Sequence, residues 1–451
     1  MSTLKIYPAK GALKGEVNLP SDKSISHRAL IFAALGWGRS TLTRFSYGED
    51  NVSTLVAMRK MGVTIADDGQ GTVVVDGVGL DGLREGGTLD CGNSGTTMRL
   101  LAGVLAAQPF KSTLVGDASL SGRPMLRVAG PLRQRGAIIE GRPHPKKLGD
   151  ITAPLEIGPL PTGKRLTGIE YVMPMSSAQV KSALLLSGLY ADGATLVSEP
   201  LLSRDHTERM MHALGVPLDT AGPTVRLLPP TERKAWRGFA VDLPGDLSAA
   251  AFPLVAAALV PNSEVTTVNT GTNPTRTGIC DILRHLGAAL SVEPHGDVLG
   301  EPLGALTVRG SSGSLRGTSI GGEVAVRAID EIPIACALAA RAKGTTEFSD
   351  VAELRVKESD RIATMAALLR SFGVECEERP DGLRIEGNPD RPLKAARFAS
   401  KGDHRIAMTA AVLGLVADGP TIIDDADCIA TSFPSFAETF RRLGATVEVS
   451  R

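Results

Sequence analysis

Six stretches of the chain repeat one order of patterns. A polar or glycine-containing opening leads into a small, apolar, helix-like run: SDKSISHRALIFAAL, GNSGTTMRLLAGVL, SSAQVKSALLLSGL, GDLSAAAFPLVAAAL, DEIPIACALAA and GDHRIAMTAAVLGL. A short turn and a β-like run follow each: STLTRF, STLVGD, ATLVSE, SEVTTVN, GTTEFS and PTIIDD. A second helical pattern then closes on a recurring glycine, in MRKMGVTI, LRQRGAII, MHALGVPL, LRHLGAAL, LRSFGVEC and FRRLGATV. Those glycines (Gly62, Gly136, Gly215, Gly287, Gly373 and Gly444) sit just past an apolar-periodic run, the position of a helix C-cap. A spacing of roughly 70 to 85 residues is longer than solenoid repeats usually run, so each unit is a small subdomain with several strands and two helices.

Six units divide into two domains of three, and 451 residues are too many for one ordinary core. The expected fold is α/β: two similar domains, each of three repeats packed around buried helices, because the first helix of each unit is apolar nearly all round. Repeat counting places the first domain at residues 21–241 and the second at 242–451, with TERKAWRGFAVDLPGD as the crossing segment. The N-terminal LKIYPAKGALKGEVNLP precedes the first repeat, and periodicity alone assigns its strands to neither half.

Lys plus Arg is 49 and Asp plus Glu is 49, so the basic surplus usual in a nucleic-acid binder is absent. The five cysteines (Cys91, Cys280, Cys336, Cys376 and Cys428) are scattered, odd in number and form no CxxC pair, which fits a reducing cytoplasm. The N-terminus has no apolar core of a secretory signal, and runs such as AAAFPLVAAAL are too short to span a bilayer. The sequence therefore points to a soluble, cytoplasmic chain with no membrane or nucleic-acid partner.

The chemistry gathers at the openings of the buried helices. The first turn of a helix carries unpaired N–H groups and a partial positive charge, so it attracts anions. Side chains suited to anions sit there: Lys23, Ser24 and Arg28; Asn93, Gly95, Thr96 and Arg99; Ser177 and Gln179; His404 and Arg405. Ser24, Thr96 and Ser177 are equally ordinary helix caps. Lys23 with Arg28 is more pointed, because two cations in one first turn oppose the helix dipole unless a negative ligand is bound. If the six openings face one another across the domains, a cleft there collects dipoles and cations together. Further basic positions lie in loops: Arg123 before Pro124, an extended position; Arg204 in LLSRDHTERM; and Lys357 with Arg361 in ELRVKESDRIATM. The last two are four residues apart and fit one helix face, either as a ligand site or as a surface charge set with Glu358 and Asp360.

Asp330 and Glu331 open the fifth apolar helix, and Glu358 lies among cations, so carboxylates for acid–base work are present. Asp330 also fits a plain helix cap. The chain has no P-loop, no convincing GxGxxG after a strand, no HExxH and no GxSxG. His27, His206 and His404 lack metal-ligand spacing and read first as local hydrogen-bonding groups.

Taken together, SDKSISHRA, GNSGTTMR, GDASLSGRPM, PMSSAQVKSALLL, SRDHTE, IDEIP, RVKESDR, GDHRIAM and ATSFP resemble the 5-enolpyruvylshikimate-3-phosphate synthase family, in family order over nearly the whole chain. The SAQVKSA, SRDHTE and RVKESDR wording is similar to its second, mainly bacterial, class. The resemblance implies the enolpyruvyl transferase fold, with three βαβαββ-type units per domain and residues 1–20 in the second domain. It implies joining phosphoenolpyruvate to the 5-hydroxyl of shikimate 3-phosphate with release of phosphate, by a monomer that needs no metal or cofactor. Carried over by position, Lys23, Ser24, Arg28, Ser177, Gln179, Arg204, Asp330 and Lys357 meet shikimate 3-phosphate. Lys23, Gly95, Arg123, Gln179, Arg361 and Arg405 meet phosphoenolpyruvate. Asp330 is the implied base, Glu358 the implied proton donor, and Lys23 a further candidate for proton transfer. Many relatives have a lysine in an AKTFP-like segment where this chain has ATSFP, with Thr431 and Ser432. Glycine rather than alanine at position 95 leads to an expectation of glyphosate sensitivity.

Two competing readings remain at this level. A sister enolpyruvyl transferase, which uses a nucleotide-linked amino sugar, usually has Lys-Asn in place of Lys23-Ser24 and a reactive loop cysteine in its first domain. Cys91, the only cysteine of that half, lies just before GNSGTT instead. A non-catalytic anion-binding protein on the same repeats would keep the arginines but has no need of Asp330 and Glu358.

Overall fold

A computed structural model describes residues 2–232, 235–310 and 313–450. Its described strands form six four-stranded sheets, one for each repeat. The second repeat shows the pattern. Strand Gly87–Asp90 runs parallel to Ser112–Val115, which pairs antiparallel with Ile151–Ile157, which pairs antiparallel with Ile139–Pro143. The helix Gly95–Leu105 connects the two parallel strands, as a parallel pair requires. The six recurring glycines all have positive φ, from +77° to +103°, so the phrase that marks each repeat is the left-handed residue that ends its second helix.

The chain forms two compact units. One holds Lys23–Leu243 with the hairpin tip Asp297–Glu301; the other holds the residues up to Asp22, Pro244–Gly296 and the chain from Pro302 onward. Each has three sheets and its own continuous apolar core. Edge strands are exchanged where the chain passes between them. Lys14–Asn18 leads directly into the helix Lys23–Leu35, yet it pairs with Glu264–Gly271. Ala240–Asp242 leads into Leu247–Leu259, yet it pairs with Trp37–Thr43. Thr3–Ile6 closes the sixth sheet between Thr421–Asp424 and Val447–Ser450.

The first helix of each repeat is buried as its composition requires. In Leu247–Leu259 every residue is buried, and in Lys23–Leu35 everything from Ile25 onward. The helices Gly95–Leu105 and Ala178–Gly188 cross in backbone contact at Gly103. A Cβ there would stand 2.3 Å from the Ala183 carbonyl oxygen, so only glycine allows the approach. That crossing brings the openings of the two helices together. Among the described residues no helix is long and apolar enough to cross a membrane.

Candidate active site

Within the unit Lys23–Leu243, three helix openings are tied to one another by side chains. Arg28 Nη2 donates to Ser182 Oγ (2.8 Å), Nε to Thr207 Oγ1 (2.7 Å) and Nη1 to the Ser24 carbonyl (2.9 Å). These bonds link the first buried helix to the third and to His206–Ala213. Arg99 Nη1 donates to Gln179 Oε1 (2.5 Å), and Gln179 Nε2 donates to Thr96 Oγ1 (3.0 Å), linking the second opening to the third. Arg123 is extended, at φ −84° and ψ 142°, as the following proline favours. Its Nη2 donates to Asn93 Oδ1 (2.6 Å) and Ser119 Oγ (3.3 Å). A Cβ on Gly95 would meet Arg99 Nη1 at 2.7 Å and Arg123 Nη1 at 3.3 Å. Two guanidinium groups therefore converge beside the bare backbone of Gly95 at a helix N-terminus, an arrangement suited to an anion.

Lys23 Nζ is held 2.9 Å from Asp50, which answers part of its conflict with the helix dipole. Beneath it, His27 Nδ1 shares a hydrogen bond of 2.7 Å with Thr54 Oγ1, which is 2.7 Å from Thr97 Oγ1. Burial lowers the His27 pKa to about 3, so its imidazole is neutral. Ser177 is the N-cap of its helix, accepting from Val180 N, while Ser94 and not Thr96 caps the second. Arg204 is half-buried in the loop before His206–Ala213. Its neighbour Ser203 donates through N to Glu199, which with Glu208 pairs the buried Lys181.

The other unit builds its cluster from carboxylates. Asp330 precedes the fifth buried helix, Ile332–Arg341, whose N-cap is Glu331. Asp330 Oδ1 lies 3.5 Å from Arg361 Nη1 and 3.6 Å from Lys357 Nζ. Arg361 also meets Glu358 (2.7 Å) and Asp403 (2.9 Å). Arg405 Nη1 donates to the Asp330 carbonyl at 2.9 Å. Side-chain exposure separates the acids. Asp330 and Glu358 are 15% and 25% exposed, whereas Asp403 and Glu331 are 0%. The first two keep some solvent exposure beside Arg361; the others are wholly enclosed with their arginines. Burial opposes the charge on Arg361, yet Glu358, Asp403 and Asp330 outweigh it and raise its pKa. Burial likewise pushes the Asp403 carboxyl up, and Arg361 outweighs it and holds it below the ordinary carboxylate range.

Two expectations need correction. Lys357 and Arg361 do not share a helix face. Lys357 ends the 3₁₀ turn Ala352–Val356, and the next helix begins at Arg361 with Asp360 as its cap. They meet instead through Asp330. Nor is Arg361 part of a surface charge set, being 1% exposed. Thr431 and Ser432, at the departure from the family pattern, end the 3₁₀ turn Ala426–Thr431 and are half-buried. Asp50, Asp403 and Glu331 were not foreseen as partners of the cations. Asp403 had a signal, since GDHR places an aspartate where a helix cap belongs, and it accepts from Arg405 N at 3.0 Å.

Cys91 is fully buried, and burial raises its pKa to about 12, the opposite of a reactive loop thiol. Among the described residues no group of three or more His, Cys, Asp or Glu side chains is arranged to hold a metal ion.

Known proteins resemble the chain along its whole length. The family model described as EPSP synthase (3-phosphoshikimate 1-carboxyvinyltransferase) matches residues 8–440. A 3-phosphoshikimate 1-carboxyvinyltransferase of Geobacter sulfurreducens is 50% identical over 437 residues, covering 97% of this chain and 98% of the relative. One from Bacillus thuringiensis subsp. konkukian is 46% identical over 444 residues, covering 98% and 100%. The structure of EPSP synthase from Acinetobacter baumannii superposes with a TM-score of 0.88 at 43% identity, covering 100% of both chains. This chain belongs to the EPSP synthase (3-phosphoshikimate 1-carboxyvinyltransferase) family.

Proposed function

We propose that the chain is a 3-phosphoshikimate 1-carboxyvinyltransferase. It transfers the enolpyruvyl group of phosphoenolpyruvate to the 5-hydroxyl of shikimate 3-phosphate and releases phosphate. The observation that carries the mechanism is that two partly exposed carboxylates, Asp330 and Glu358, share one buried cation, Arg361. Asp330 takes the proton of the 5-hydroxyl as its oxygen attacks C2 of phosphoenolpyruvate. Glu358 gives a proton to the methylene carbon, yielding a tetrahedral ketal. The Glu358 carboxylate then takes a proton back from the methyl group as the C–O bond to phosphate breaks, forming the enol ether and releasing phosphate. Lys23, assigned to both ligands, is a second candidate for proton transfer.

Binding is shared between cations and polar groups. Lys23, Ser24, Arg28, Ser177, Gln179, Arg204, Asp330 and Lys357 receive shikimate 3-phosphate. Lys23, Gly95, Arg123, Gln179, Arg361 and Arg405 receive phosphoenolpyruvate. Guanidinium forks match phosphate and carboxylate oxygens, and the converging pair at Gly95 supports the second assignment. We further place the chain in the second, mainly bacterial, class on its SAQVKSA, SRDHTE and RVKESDR segments, and expect a cytoplasmic monomer. Phosphate release on mixing both substrates is the test. Release that requires both supports the reading. Release without shikimate 3-phosphate, or none with it, contradicts it, and turnover of a nucleotide-linked amino sugar instead identifies the sister enzyme.

A further inference from the structure

Arg276 lies just before the helix Gly278–His285 and is 3% exposed. Its Nη2 donates to Ser248 Oγ at 2.7 Å and reaches Asp246 Oδ1 at 3.4 Å. Its guanidinium is 3.6 Å from Asp22 and 3.6 Å from Glu331. Ser248 Oγ in turn donates to Glu331 Oε1. Burial opposes the charge on Arg276, but Asp22, Glu331, Asp246 and Asp330 together outweigh that and raise its pKa. It is a fixed cation among buried acids.

Glu331 also stands 3.8 Å from Arg405 Nη1, the nitrogen that donates to the Asp330 carbonyl. Its Oε2 is buried with no hydrogen-bond partner among the described residues. One fully buried carboxylate therefore has two cations within reach and one oxygen to spare. An unbalanced charge in such a place is costly, so whichever cation holds Glu331 also decides how strongly the other is drawn to it.

We propose that Arg276 is a positioning residue: with Ser248 it holds Glu331 at the helix cap and keeps that carboxylate from closing on Arg405. Arg405 then keeps its guanidinium for an anionic ligand and its bond to the backbone of Asp330. Asp22 and Asp246 flank the two points where the chain passes between its units, so Arg276 also ties both crossing segments to the cap beside Asp330. The inference rests on Arg405 binding phosphoenolpyruvate.

The experiment measures kcat and KM for phosphoenolpyruvate in the wild type, Arg276→Met and Arg276→Met/Glu331→Gln. Without Arg276, Glu331 turns to Arg405, and KM for phosphoenolpyruvate is expected to rise about tenfold with a smaller change in kcat. Neutralising Glu331 in the same chain removes the competitor, so the double variant is expected to regain most of the lost affinity. A loss of packing alone would not be rescued by Glu331→Gln. An unchanged KM in Arg276→Met, or a double variant as impaired as the single one, overturns the proposal. If Arg276→Met does not fold, a folded double variant with near-normal KM supports it, and failure of both to fold overturns it. A wild type that releases no phosphate would overturn the functional reading, and this inference with it. An active wild type with no compensation overturns the inference alone.

Discussion

The two clusters hold their arginines in different ways, although Lys23 in the first is paired with Asp50. In the unit Lys23–Leu243, Arg28, Arg99 and Arg123 are oriented by hydroxyl, amide and carbonyl oxygens: Ser182, Thr207, Ser24, Gln179, Asn93 and Ser119. In the other unit, Arg361 and Arg276 are each surrounded by carboxylates. Neutral partners fix the direction of a guanidinium without cancelling its charge, which suits binding an anion. Carboxylate partners cancel charge and bind proton affinities to one another, which suits proton transfer. One repeat, used six times, thus carries two kinds of charged cluster.

This contrast is open to test. The largest effect is expected in the carboxylate cluster. Glu358→Gln should lower kcat by roughly 10²- to 10⁴-fold with little change in KM, the range for a lost general acid. Near-normal turnover would remove Glu358 from the chemistry. In the neutral-held cluster, Arg28→Met should weaken shikimate 3-phosphate binding by roughly 10- to 100-fold, measured by calorimetry, since charge-assisted hydrogen bonds are worth about 1.5–3 kcal/mol each. A fall in kcat with unchanged affinity would erase the division of labour. Gly95→Ala sets a methyl against Arg99 and Arg123, so KM for phosphoenolpyruvate should rise by several-fold, on the order of one displaced contact. The wild type, which carries no side chain there, should lose turnover in glyphosate and Gly95→Ala should lose less. Undiminished wild-type turnover at high glyphosate would show that the missing side chain at Gly95 does not set sensitivity.

The smallest effect concerns stability. His27 is held neutral, with its pKa lowered by burial from 6.5 to about 3. Between those values the unfolded chain binds more protons than the folded one, so stability should fall as pH drops from 6.5 toward 3. Comparing the thermal midpoints of wild type and His27→Gln at pH 7 and pH 4.5 reads this contribution. Equal losses in both proteins would show that His27 contributes none of it.

Much of this was legible in the sequence because the repeat is local. The apolar helix, the turn and the C-cap glycine recur within each unit, and the cations at the openings are visible one motif at a time. Periodicity could not place the exchanged edge strands, since Lys14–Asn18 and Ala240–Asp242 have the same pattern whichever sheet receives them; for residues 1–20 only the family resemblance made an assignment. Nor were the partners of the cations. Asp50 is 27 residues from Lys23, and Arg276 is 55 residues from Glu331 and carries no motif of its own. Spacing misled at Lys357 and Arg361, because the helix that four residues suggested begins only at the second of them.

If the partly exposed acids of the carboxylate cluster act on bound substrate, Asp330→Asn separates their chemistry from binding. Shikimate 3-phosphate affinity and single-turnover formation of product would be measured on the same protein. Affinity within a few-fold of wild type and a turnover rate lower by at least about 100-fold are expected. Near-normal turnover, or a rate loss fully explained by lost affinity, would contradict that role for the acids.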